Sequence, residues 1–110
     1  MTIYVAALLI AQPASTLDVV VPNAIVDLHN KYVLCQDQAF DAGKVRDRTS
    51  FKTEVERSIA ACTAEKRTLM QQAESRLASA PDFQDRIARQ RAISEAFDGY
   101  DRVRHLMARQ

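Results

Sequence analysis

Phe51, Val55, Ile59, Cys62, Lys66, Leu69, Ala73 and Leu77 recur at intervals of three and four. At about 100° per residue they fall within about 80° of one another around a helix axis. A strand turns alternate side chains to opposite faces, so no sheet could present this set on one side. The stripe predicts a helix over 51–78, opened by Ser50. Glu54, Glu56, Arg57, Glu65, Arg67, Glu74 and Arg76 take its other faces and read as solvated surface. Composition points the same way: 2 Gly and 3 Pro among 110 residues are too few to turn the corners of a sandwich or a doubly wound sheet.

Two further helices flank this one. Ile25, Leu28, Tyr32, Cys35 and Ala39 repeat at three and four, widened by Val26, Val33 and Phe40, which predicts a helix over about 24–41 with Asn23 as its N-cap. Before it, Val19 to Pro22 reads as an extended arm against the domain. After it, Asp41 to Thr49 is polar, holds Gly43 and reads as a loop. Ser79, Ala80, Pro81 and Asp82 have the form of a capping box, predicting a third helix over about 81–108. Its apolar positions are Phe83, Ile87, Ile93, Phe97, Tyr100, Val103 and Met107. Asp98 and Gly99 interrupt them, so the helix either ends near Phe97 and restarts or sets Gly99 against a close backbone. The expected fold is all-α: a small antiparallel helical hairpin or three-helix bundle.

A run of nine apolar residues, Ile3 to Ala11, begins the chain and is followed by Pro13, Ala14 and Ser15. It is too short to span a bilayer and matches the apolar core of a signal peptide, although no positive charge precedes it. Residues 1–15 are therefore expected to be a leader and 16–110 a single helical domain, the mature chain starting between Ala14 and Leu17; the alternative is a buried N-terminal strand or helix of the domain itself. Cys35 and Cys62 lie far outside C-x-x-C spacing. Two cysteines in a short exported chain suggest one structural disulfide, while in a cytosolic protein they would be two buried thiols. The disulfide sets an antiparallel register between the first two helices, in which Leu28 lies near Leu69, Ile25 near Ala73, Ala39 near Ile59 and Tyr32 near Lys66. Lys66 then sits within an apolar stripe, its stem packed and its ammonium reaching outward over Tyr32 in preference to acting as a reactive lysine. With this leader and cysteine hairpin, the chain resembles short exported two-cysteine helical proteins of Gram-negative bacteria. The resemblance implies a periplasmic helical domain and brings neither substrate nor partner with it.

The chemistry-bearing residues do not converge in sequence. His29 and His105 have no second His or Cys at i+3 or i+4. His105, Met107 and Met70 are the residue types of a soft-metal site. Asp37 to Gly43 lacks the acidic third position and glycine placement of a calcium loop. Asp98 and Asp101 read as solvent-facing carboxylates. The net charge of +1, from 15 basic and 14 acidic residues, argues against a dedicated nucleic-acid binder or a polybasic membrane-surface protein. The expected function is non-enzymatic and without cofactor, catalytic residue or metal: an exported, periplasmic or secreted protein acting by protein contact, its mature chain not inserted in a membrane. Tyr100, Arg102, Arg104, His105 and Met107 are the expected partner-binding residues. The alternative is a thiol, redox or metal-handling factor using Cys35 and Cys62 or His105 and Met107.

Overall fold

The computed structural model describes residues 2–4 and 19–110. The expected leader and its cleavage region therefore lie outside the described residues, apart from the backbone of Thr2–Tyr4. That segment forms β1, paired antiparallel with β2 (Val19–Val21) so that Thr2 faces Val21 and Tyr4 faces Val19. Val19 and Val21 are buried, with β2 lying against the last helix, and Val20 points outward. The expected extended arm is thus a short strand.

Among the described residues, four α-helices make the body: α1 (Val26–Ala39), α2 (Arg48–Ala61), α3 (Thr63–Ala78) and α4 (Arg86–Arg109). The all-α fold with one disulfide is the one expected. Its long middle helix, however, is two. Cys62 ends α2 and opens α3 with φ −104° and ψ 11°, its N–H reaching back only three residues to Ile59 O at 3.1 Å. Length explains the corner. A straight helix over 48–78 would run about 46 Å, against about 21 Å for α1. Bending at Cys62 brings both halves back onto α1 and α4, and both do touch them.

The register is close to the expected one. Cys35 and Cys62 are bonded with their Cα atoms 6.1 Å apart. On either side, the Arg57 guanidinium donates to Ala39 O, Lys66 Nζ stands 5.9 Å from the Tyr32 ring centre, and Arg76 pairs with Asp27.

The helix starts differ from expectation, for backbone reasons. An N-cap needs extended backbone. Pro22 has it (φ −59°, ψ 140°), so Asn23 falls inside a 3-10 turn, Asn23–Ile25, instead of capping α1. Ser79 does not have it (φ −94°, ψ −2°): it closes α3, Pro81–Phe83 makes another 3-10 turn, and Asp85 caps α4 by accepting from Ala88 N–H at 3.0 Å. Helix α2 starts earlier than expected. Asp47 accepts from Ser50 N–H at 2.8 Å while Ser50 Oγ accepts from Asp47 N–H at 3.0 Å, a reciprocal capping box.

Helix α4 runs unbroken through Asp98 and Gly99 and packs on α2, α3 and β2. The core gathers Val21, Ile25, Leu28, Tyr32, Leu69, Leu77 and Phe97, with the small residues Ala73 and Ala96 where helices approach. Ile87 and Met107, expected on the apolar face of α4, are instead exposed at 62% and 50%. Among the described residues, no helix is long and apolar enough to cross a membrane.

Candidate functional site

Three helices converge on one polar cluster. Tyr32 and Gln36 stand one turn apart on α1, Asp98 and Asp101 one turn apart on α4, and Lys66 reaches between them from α3. Tyr32 Oη donates to Asp101 Oδ1 at 2.6 Å and Gln36 Nε2 donates to the same oxygen at 2.7 Å. Lys66 Nζ donates to Asp101 Oδ2 at 2.9 Å and to Asp98 Oδ1 at 2.6 Å, and Ser94 Oγ donates to Asp98 Oδ2 at 2.7 Å. Asp98 and Asp101, expected to face water, therefore hold a cation between them. Only Asp98 is open to solvent, at 51% of its side chain against 15% for Asp101.

The electrostatics keep Lys66 and Asp98 charged. Burial opposes the charge on Lys66, but its bonds to Asp98 and Asp101 outweigh that and hold its pKa above the usual lysine value. Burial likewise opposes the charge on Asp98, yet Lys66 and Ser94 hold its carboxyl below the ordinary range. Burial and the neighbouring Asp101 carboxylate push the Tyr32 phenol far up. Lys66 is thus no low-pKa nucleophile, and neither it, Asp98 nor Tyr32 is poised to exchange a proton near neutrality. The expected packing over Tyr32 is present, joined by two carboxylates that no helical wheel could reveal.

Two other polar groups tie helices together. His29 is fully buried and its Nε2–H donates to Ala96 O at 2.9 Å, with the ring edge-on to Phe97 and Tyr100. Burial drives its pKa down, so it is a neutral packed side chain. Glu54 is buried at the turn after α1, where it accepts from Asp41 N–H at 2.7 Å and from Arg57. Those bonds hold its carboxyl down to about 2.

Beside Lys66, α3 and α4 leave an open groove of about 790 Å³. Met70 and Ile93 make its apolar floor, and Lys66, Arg67, Glu74 and Arg86 stand on its walls. Glu74 is matched by Arg89 at 2.7 Å, which also donates to Phe83 O and Gln84 O at 3.0 Å each and so locks the corner between the two helices. Arg67 and Arg86 are exposed and make no ion pair among the described residues.

The residues singled out near the C-terminus differ in burial. Tyr100 and Val103 pack against the core, with Tyr100 edge-on to Tyr32 as well as His29. Arg104 is half-buried, its guanidinium 5.5 Å from the Phe40 ring centre and donating to Ser58 Oγ at 3.3 Å. Arg102, His105 and Met107 are exposed. Met70 faces Ile93, which precedes His105 by about 18 Å along α4, so the three soft-metal residue types are not gathered. Among the described residues no three His, Cys, Asp or Glu side chains are placed to hold a metal. Cys35 and Cys62 are both consumed in their bond.

Compared with known proteins, the chain matches no family model, no curated protein and no solved structure.

Proposed function

We propose that the chain is an exported, periplasmic protein that acts by protein contact and not by catalysis. The observation that carries this reading is the Cys35–Cys62 bond, whose Cys62 half is fully buried in the core. Structural disulfides persist in oxidising compartments and are rare where glutathione keeps thiols reduced. The leader-like run Ile3 to Ala11 supports the same location. Cleavage behind it would remove β1 and leave β2 held by α4. Contact in place of chemistry is favoured by the polar groups: Lys66 is bound within the fold by two carboxylates, and the groove beside it offers an apolar floor with cations on its rim. A thiol mechanism would first have to open a bond with one sulfur residue buried.

Intact mass and N-terminal sequencing of the protein from fractionated cells test the proposal. The expected species is periplasmic, starts between Ala14 and Leu17 and is lighter than the dithiol by two hydrogens. A cytosolic chain retaining Met1 and two free thiols would overturn it.

A further inference from the structure

We infer that the groove between α3 and α4 docks an acidic amphipathic helical segment of a partner protein. Its apolar side chains would lie on Met70 and Ile93 and its carboxylates would meet Arg67 and Arg86. The inference rests on the contact reading above and gives it a surface and a partner chemistry.

Charge is the first argument. Four charged side chains line the groove, and two are already matched within the fold, Lys66 by Asp98 and Asp101 and Glu74 by Arg89. The two that remain, Arg67 and Arg86, are exposed and without ion pairs among the described residues. The groove therefore presents net positive charge on a chain whose overall charge is only +1. Arginine is also the cation best suited to a carboxylate, through its planar two-pronged donor set.

Spacing is the second argument. Helices α3 and α4 run antiparallel, with Glu74 level with Arg89 and Lys66 level with Asp98. That register puts Met70 beside Ile93 and Arg67 level with position 96, ten residues along α4 from Arg86. The two arginines thus bracket the apolar floor at about 15 Å along the axis. An α-helix covers that length in about ten residues, with room for apolar side chains at i and i+3 or i+4 between two carboxylates. A single-headed fatty acid could meet only one of the arginines. A nucleic acid backbone would meet both cations but leave Met70 and Ile93 uncovered.

Random short peptides displayed on phage and selected against the oxidised full chain provide the test. The selected peptides should carry two acidic positions about ten residues apart with an apolar pair between them, nearer the one that meets Arg67. A labelled member should bind about tenfold more weakly to the doubly charge-reversed variant Arg67→Glu/Arg86→Glu, whose exposed positions leave the fold intact by circular dichroism. Its lysine-swapped counterpart should recover affinity for that variant. Hydrogen-exchange protection should fall on α3 and the first half of α4. Neutral or basic peptides, indifference to the charge reversal, or no peptide at all would overturn the inference. Acidic peptides protecting Arg102 to Met107 instead would overturn it while leaving the contact reading standing. Binding of dodecanoate or an oligonucleotide in place of peptide, or self-association through this groove in sedimentation, would also overturn it. Because the selection uses purified protein, none of these results depends on the compartment.

Discussion

At the scale of the residue, Asp101 organises more of the molecule than its place among the charged residues of α4 suggests. Its two oxygens accept from α1 through Tyr32 and Gln36 and from α3 through Lys66, so one carboxylate joins three helices. Asp101→Ala would leave a buried phenol, an amide and an ammonium short of a partner, at a cost of about 2–4 kcal/mol in chemical denaturation. Lys66→Met should cost less, because Asp101 keeps its bonds from Tyr32 and Gln36 and Asp98 keeps Ser94 and its exposure to water. Unchanged stability in both variants would show that the cluster is idle. Glu54 carries a pH dependence. Its folded pKa is depressed to about 2 from 4.5 by Arg57 and the Asp41 N–H, so its contribution is fully present above about pH 4.5. The contribution is lost as pH falls through the folded value. Glu54→Gln should flatten the fall in stability across that window, and thermal melts at stepped pH would expose an unaltered slope if Glu54 were not involved.

At the scale of the element, the stripes and the loops obey different rules. The stripe from Phe51 to Leu77 was legible because burial repeats with the helical period, and every member is buried or half-buried in the fold. The corner at Cys62 was not legible: it arises from fitting a long helix to a shorter neighbour, and no local residue announces it. The same holds for the site. Tyr32 beside Lys66 followed from the disulfide register, but the arrival of Asp98 and Asp101 at that pair depends on how α4 crosses. Helix ends depart from the expected ones where a capping residue type occurs without capping backbone, as at Asn23 and Ser79. Gly99 is another such case. It lies buried within α4 facing β2, yet an added Cβ would meet Arg102 Nη2 at 3.5 Å and Val19 Cγ1 at 3.9 Å, ordinary contact distances. Nothing in the packing demands glycine. Gly99→Ala should therefore stabilise the protein by about 0.5–1 kcal/mol by restricting the unfolded chain. A lowered melting temperature would mean that α4 and β2 approach more closely than these contacts indicate.

At the scale of the whole molecule, the question is what holds a chain with so small a core in one arrangement. Helix α4 supplies the lid, but α1 is held to the α2–α3 corner by the one covalent link, with Cys35 half-buried and Cys62 fully buried. The link spans 27 positions, and in the chain-entropy account closing a loop of that size removes about 3–4 kcal/mol of freedom from the unfolded state. A domain of this length has total stability on the order of 5–10 kcal/mol, so the bond is a large share of it. Cys35→Ala/Cys62→Ala should shift the guanidinium midpoint down by an amount equivalent to about 2–5 kcal/mol. The wild-type chain in strong reductant should move to nearly the same place. The two need not coincide, because the reduced chain still fills the space around Cys62 with sulfur and the variant leaves a small void. What must hold is the order: oxidised chain above reduced chain, reduced chain at or above the variant. If all three curves overlay, the corner at Cys62 is held by the packing of α2 and α3 on α1 and α4 alone.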